Sequence, residues 1–232
     1  MSKKAFFITG TDTGVGKTLV SAALLLAAKN RGLTTAALKP VAAGCDDTAD
    51  GLRNEDALLL KSVITEALTY EQINPVALEP AIAPHIAAQQ AKRSLSVDRL
   101  AGFCRGVLHT ADFTLVEGAG GWRVPLNTTE TLADLAKTLK LPVIMVVGIR
   151  LGCINHALLT AEAITRDGLQ LAGWVANCVD SDMPFQQENI ASLEQRLPAP
   201  YLGVVPHLFD EVSPEAFVNV FPPQAIETLF SQ

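Results

Sequence analysis

Cysteine is sparse and unpaired in this chain of 232 residues. Cys45, Cys104, Cys153 and Cys178 stand far apart, with no C-x-x-C pair among them. That spacing supports neither a disulfide framework nor a zinc site, and buried free thiols in a reducing compartment are the simplest account. Cys153 and His156 have ligand-like spacing, but nothing completes a metal set. Charge is scarce too. Only 18% of residues are charged, and a net charge of −6 with a pI near 5.2 argues against non-specific nucleic-acid binding, which needs a basic face. A small anionic ligand remains compatible, because a local site can be positive on an acidic protein. Long apolar runs are missing: the strand-like run Leu141–Ile149 falls far short of a membrane span. Lys3 and Lys4 precede only four apolar residues before Thr9-Gly10, too few for a signal-peptide core. Repeats, low-complexity tracts and a domain boundary are also lacking. The expectation is one α/β domain over residues 1–232, in the cytoplasm, with no membrane or nucleic-acid partner.

What is present centres on residues 3–31. Lys3–Thr9 reads as a short buried strand, Gly10–Lys17 (GTDTGVGK) as a glycine-rich turn, and Thr18–Arg31 as a helix that Gly32 ends. A strand that delivers a glycine loop onto a helix N-terminus makes a phosphate site. Backbone N–H groups converge on the anion, and the helix dipole adds partial positive charge. Lys17 then reaches the outer phosphates, and the Thr18 hydroxyl suits Mg²⁺. The match to the usual P-loop is imperfect: five residues separate Gly10 from Gly16, and Thr11 sits where the first glycine belongs.

Downstream, Thr34–Leu38 reads as a second strand that Pro40 stops, leaving Lys39 at its C-terminal end. In open α/β sheets that edge binds ligands, so Lys39 is either a ligand cation or a solvated loop lysine. Residues 42–53 read as a flexible polar loop. Asn54–Val63 reads as a helix capped by Asn54, with Asp56 in its first turn, where a carboxylate serves either the helix dipole or a metal. Residues 70–90 read as an irregular, proline-punctuated crossing with a short helix at Ile86–Ala91. Phe113–Val116 is a buried strand with Glu117 at its end, followed by Gly118, Gly120 and Gly121. A carboxylate closing an apolar strand beside a P-loop favours metal coordination over a water-facing charge. Pro142–Gly148 is a central strand. Arg150–His156 then leads into a helix over Ala157–Arg166 with Asn155 as a candidate cap; the turn is either a carboxylate site or a plain capped helix. Leu171–Val179 is a further strand bearing Asn177, whose amide can read a purine edge. The repeated β-α pattern with near-continuous apolar strands predicts a mostly parallel, twisted sheet covered by helices on both faces, of P-loop NTPase type.

Six stretches, GTDTGVGKT (Gly10–Thr18), KPVAAG (Lys39–Gly44), RNEDA (Arg53–Ala57), VEGAGG (Val116–Gly121), LGCINH (Leu151–His156) and GWVAN (Gly173–Asn177), resemble dethiobiotin synthetase in the same order. The likeness runs to about Pro206. It implies closure of the ureido ring of dethiobiotin from 7,8-diaminononanoate and CO₂, with ATP and Mg²⁺, through a carbamate and a carbamic–phosphoric anhydride. Carried over residue by residue, it makes Lys17, Lys39 and Thr13 catalytic. Thr18, Asp56 and Glu117 become the Mg²⁺ ligands. ATP falls to Gly14, Val15, Gly16, Lys17, Thr18, Asn177, Pro206 and Leu208. Substrate falls to Thr13 and Lys39, with its carboxylate held by Gly152, Cys153, Ile154 and Asn155 across the two-fold axis of a homodimer. Asp12 is expected to orient a lysine.

Two positions depart from the family pattern. An acidic residue is common where this chain has Gly14, and a serine where it has Ala43. The expectation is retained activity with altered substrate affinity. Two other readings fit the P-loop: a related amidoligase on another substrate, and a ParA-like nucleotide switch, against which the small acidic chain and LGCINH argue.

Overall fold

The computed structural model describes residues 3–207, residue 221 and residues 223–231. Strand β1 (Lys4–Gly10) is buried from Phe6 onward because it lies between parallel neighbours, and its alternating side chains feed two cores. Phe7 faces one side; Phe6 and Ile8 face the other. Helix α1 (Lys17–Lys29) packs on the second side and is buried almost all round, which is why its sequence is apolar on every face. Strand β2 (Thr35–Leu38) ends before Pro40, as the proline requires.

The segment expected to be a flexible loop is partly ordered into strands. β3 (Val41–Ala43) pairs with a later strand, and β4 (Asp46–Thr48) pairs with β5 (Gly51–Arg53) as a small antiparallel hairpin. The Thr48 hydroxyl closes its turn, donating to Gly51 O at 2.7 Å, and Gly51 takes a positive φ of 93°. Helix α2 (Glu55–Val63) is capped by Asn54 as expected; of its three leucines only Leu60 is fully buried. The proline-rich crossing is more regular than its composition suggests. It contains α3 (Tyr70–Ile73), β6 (Val76–Leu78) and α4 (Pro84–Gln90). Thr69 and Gln72 form a reciprocal capping box on α3, and Pro84 opens α4 two residues earlier than expected.

Next come α5 (Val97–Val107), capped by Ser96, and β7 (Phe113–Glu117), buried throughout. They are followed by α6 (Leu132–Leu139), β8 (Val143–Gly148), α7 (Cys153–Arg166), β9 (Leu171–Asn177), α8 (Gln186–Arg196), β10 (Tyr201–Val205) and α9 (Pro223–Ser231). Helix α7 starts at Cys153, with Gly152 in the left-handed region at its N-cap. Asn155 therefore lies inside the first turn and is not the cap.

The main sheet runs β10-β9-β8-β1-β7-β2, and every pairing in it is parallel. Helices α1, α2 and α9 cover one face around Leu24, Leu60 and Leu229. Helices α5 to α8 cover the other around Leu100, Leu135, Ile164 and Leu193. The chain builds from β1 toward β2, then returns and builds outward from β8 on the opposite side. The winding thus reverses beside the C-terminal end of β1, where doubly wound sheets open a ligand crevice. The glycine loop leaves the sheet at that point. Among the described residues no helix is long and apolar enough to cross a membrane.

Candidate active site

The loop between β1 and α1 is pinned on both sides. Thr11 N–H donates to Val146 O at 3.0 Å, and the Asn177 side-chain amide donates to Val15 O at 2.9 Å. Gly16 has a φ of +80°, and a Cβ there would stand 2.1 Å from Asn177 Nδ2. Glycine is required on both counts. Asn177 thus spends one N–H on the loop and keeps its carbonyl oxygen and second N–H for a ligand. Gly14, with a φ of +71°, has nothing within 4 Å of an added Cβ. A side chain at this position would project into open space, so its absence costs no packing. Val15 is buried against the sheet; Pro206 is exposed just past β10, next along the sheet from Asn177. Leu208 lies outside the described residues.

Lys17 opens α1 and is nearly buried. Its ammonium reaches back to the Asp12 carbonyl at 3.3 Å. Burial, then the nearby Lys39 charge, lower its pKa to about 8. The Asp12 carboxylate does not orient a lysine. It accepts from Thr13 N–H at 2.7 Å and pairs with Arg150, so Lys17 hydrogen-bonds the backbone carbonyl of Asp12 and feels its carboxylate only through space. The sequence reading did not single out Arg150; no local pattern marks a partner 138 residues away.

Behind the loop lies a buried polar cluster. Glu117 is fully buried. One of its oxygens accepts from Thr18 Oγ1 at 2.8 Å and from Lys39 Nζ at 2.6 Å, and the other accepts from Ser21 Oγ at 2.8 Å. Lys39 also reaches Asp56 at 2.6 Å. Burial alone would lower the Lys39 pKa, but Glu117 and Asp56 together outweigh it and raise it above the ordinary lysine value. Asp56 follows the reverse logic: burial pushes its pKa up, Lys39 pulls it further down, and the net shift is downward. Lys39 is therefore a buried cation paired with two carboxylates and no solvated loop lysine. Ser21 was missed by sequence reading, although it stands one turn after Thr18 on the same face of α1.

These groups open into a cavity of about 880 Å³. Thr13, Lys17, Thr18, Lys39 and Asp56 line its polar end. Ala43, Ile82, Pro84, Val124 and Pro125 form apolar walls. Glu117 supports the polar end from beneath. Two carboxylates and a hydroxyl in one cluster are a hard oxygen donor set suited to Mg²⁺, which completes its shell with water and phosphate oxygens. Gly152, Cys153, Ile154 and Asn155 do not line this cavity. They form the cap and first turn of α7, with Cys153 buried and Gly152 and Asn155 exposed.

Comparison with known proteins decides the family. A family model described as an AAA domain matches residues 4–215. The ATP-dependent dethiobiotin synthetase BioD of Cellvibrio japonicus (strain Ueda107) is 72% identical over 208 residues, covering 90% of this chain and 91% of that protein. The chain belongs to the dethiobiotin synthetase family. The protein of the same name from Pseudomonas aeruginosa PAO1 is 62% identical over 213 residues, covering 91% of this chain and 93% of its own. Fold relatives lie wider than this family. A ParA family ATPase from Chlorobium tepidum TLS superposes with a TM-score of 0.56 at 14% identity, covering 99% of this chain and 97% of its own. The septum site-determining protein MinD of Pyrococcus horikoshii OT3, solved with Mg-ADP, gives 0.54 at 18% identity, covering 99% and 95%. At those identities the likeness is one of fold alone. All six stretches that marked the chain as a dethiobiotin synthetase lie within the matched region.

Proposed function

We propose that this protein carries out the ATP-dependent ring closure of biotin biosynthesis, joining 7,8-diaminononanoate and CO₂ to give dethiobiotin, ADP and phosphate. It is an ATP-dependent ligase that uses the chain's P-loop α/β domain. The supporting observation is Lys39 held between Glu117 and Asp56 beside the P-loop lysine. The reaction brings together a carbamate and a triphosphate, two anions that repel. Two positioned cations at the polar end of the cavity offset that repulsion.

The proposed course starts when one substrate amine attacks CO₂ and loses a proton, giving the carbamate. Thr13 and Lys39 orient this group. A carbamate oxygen then attacks the γ-phosphorus, the bond to the β-phosphate oxygen breaks, and ADP leaves. Lys17 follows the transferred phosphoryl group. The second amine attacks the carbamoyl carbon of the mixed anhydride, phosphate departs with the bonding pair, and a proton is lost to solvent. When bound, Mg²⁺ would supply charge neutralisation on the phosphate oxygens, held by Thr18, Asp56 and Glu117. The apolar walls suit the methylene chain of the diamine, and the adenine belongs beside Asn177 and Pro206. The test is metal dependence. Chelation should bring ADP release to background and Mg²⁺ should restore it. Glu117→Gln should raise the Mg²⁺ concentration for half-maximal rate by about tenfold or more; an unchanged requirement would contradict the ligand assignment.

A homodimer completes the site. Leu151, just ahead of the Gly152 cap, is 92% exposed, Leu159 on α7 is 56% exposed, and the Gly152–Asn155 segment between them does not line its own cavity. An apolar face beside a helix N-terminus suits a second copy whose substrate carboxylate it holds. Leu151→Asp should give a monomer by sedimentation. It should raise the KM for the diamine by about tenfold while that for ATP moves less than about twofold, since lost uniform binding appears in KM alone. A monomer with an unchanged diamine KM would contradict the shared site. The cytoplasm is the proposed compartment, consistent with four free cysteines that are all buried.

A further inference from the structure

Asp167 follows α7, and the two residues after the Gly118–Gly121 turn, Trp122 and Arg123, converge on it from 45 and 44 positions away. Trp122 Nε1 donates to its Oδ2 at 2.8 Å. The Arg123 guanidinium grips it with both ends, Nη2 donating to Oδ1 at 3.0 Å and Nη1 lying 2.8 Å from Oδ2. The Asp167 side chain is only 10% exposed and Arg123 is 50% exposed, so the Trp122 bond lies on the buried side of the clamp and the guanidinium pair on its solvent side. Trp122 is itself buried and meets the Phe7 ring edge-on at 6.0 Å. Phe7 in turn stands against Gly118, where an added Cβ would come within 3.2 Å of the ring.

Beyond Trp122 the turn has little slack. A Cβ on Gly10 would meet Gly120 O at 3.2 Å, and a Cβ on Gly120 would meet Thr13 Oγ1 at 3.3 Å. The turn and the P-loop thus lie backbone to backbone, with Glu117 at the root of the turn. We propose that Asp167 is a positioning residue for ring closure. By holding Trp122 and Arg123 it fixes the Gly118–Gly121 turn against the P-loop and keeps Glu117 and Thr13 in register with the phosphates. The proposal rests on the reading that Glu117 and Thr13 face the reacting groups. It adds a residue that touches none of them and acts through two side chains. Misplacement of a reacting group by about 1 Å costs rates on the order of a hundredfold, so a clamp of this kind is read in kcat and not in ATP affinity.

The test compares Asp167→Ala, Asp167→Asn and Trp122→Phe with the parent. Asp167→Ala should lower kcat by about tenfold or more with the KM for ATP within about twofold. It should also shift tryptophan emission to the red, because the Trp122 N–H turns to water and the chain holds just two tryptophans, Trp122 and Trp174. Asp167→Asn keeps an acceptor for Trp122 and should recover most of the lost rate. Trp122→Phe keeps a ring against Phe7 but removes the donor. It should lower kcat in the same direction by less, and it decides the matter if Asp167→Ala does not fold. Parental kcat in Trp122→Phe and in a folded Asp167→Ala, or no recovery in Asp167→Asn, would overturn the clamp. Glu117→Gln serves as the control. If its Mg²⁺ requirement rises while the clamp variants keep the parental kcat, the clamp alone is wrong; if its Mg²⁺ requirement is unchanged, the site reading beneath it fails.

Discussion

Lys39→Met is expected to lose at least about a thousandfold in turnover and to unfold about 3–5 kcal/mol more readily than the parent. Both losses have one cause. Lys39 is 4% exposed and is the cation between Glu117, fully buried, and Asp56. Taking it away strips a fully buried carboxylate of its ion-pair partner, leaving it the Thr18 and Ser21 hydroxyls and the nearby Lys17 charge, and breaking one partner of a buried pair costs far more than the pair contributes. Urea unfolding and ADP release separate the two effects. The double variant Lys39→Met/Glu117→Gln should recover most of the stability, because the buried charge is gone, and none of the turnover, because the cation beside the carbamate is still missing. Recovery of both would mean that Lys39 is structural only; recovery of neither would mean that Glu117 is not the partner whose charge is stranded.

Lys17→Met should lose turnover by a similar factor, on the order of a thousandfold, through the phosphates. Its effect on stability has the opposite sign. The Lys17 pKa is lowered to about 8 by burial and by Lys39, from an ordinary value of 10.5. The folded protein therefore holds this charge at a cost that is present below about pH 8 and is relieved as pH rises from there toward the unfolded value. At pH 7 the variant should melt no lower than the parent. In the parent, the kcat/KM for ATP should fall as pH rises through about 8, because the free protein then loses the proton that makes Lys17 a cation. A profile flat to pH 9.5, or a Lys17→Met protein that melts well below the parent at pH 7, would contradict the assignment. Two lysines about the same phosphate site thus answer mutation differently, one relieving strain and one stranding a partner.

The parts of this site that could be read from the chain alone are those with a local cause. A strand, a glycine turn and a helix follow one another over residues 4–29, so the P-loop and Lys17 were legible despite the imperfect spacing. Lys39 before Pro40 and Glu117 before a glycine run mark strand ends at the ligand edge of a parallel sheet, and both stand there. What stayed hidden depends on residues that meet only after folding. The pairing of Asp12 with Arg150 spans 138 positions, and Asp167 meets Trp122 from 45 positions away. No periodicity reports such partners. Other misses were local and legible in retrospect. The Thr69–Gln72 capping box announced α3, and Gly152 with a positive φ starts α7 ahead of Asn155, because a left-handed glycine ends the turn before the helix begins. The polar run 42–53 misled because its composition is that of a loop, whereas a two-residue turn before Gly51 folds it into a hairpin.

The measurement that tests the whole account most directly is ADP release from ATP and Mg²⁺, with and without 7,8-diaminononanoate and bicarbonate, with the organic product identified by mass. The account expects release that requires both co-substrates and yields one cyclic urea per ADP. Release that ignores both would contradict it, and would place the chain's P-loop in the service of a switch or of another ligase.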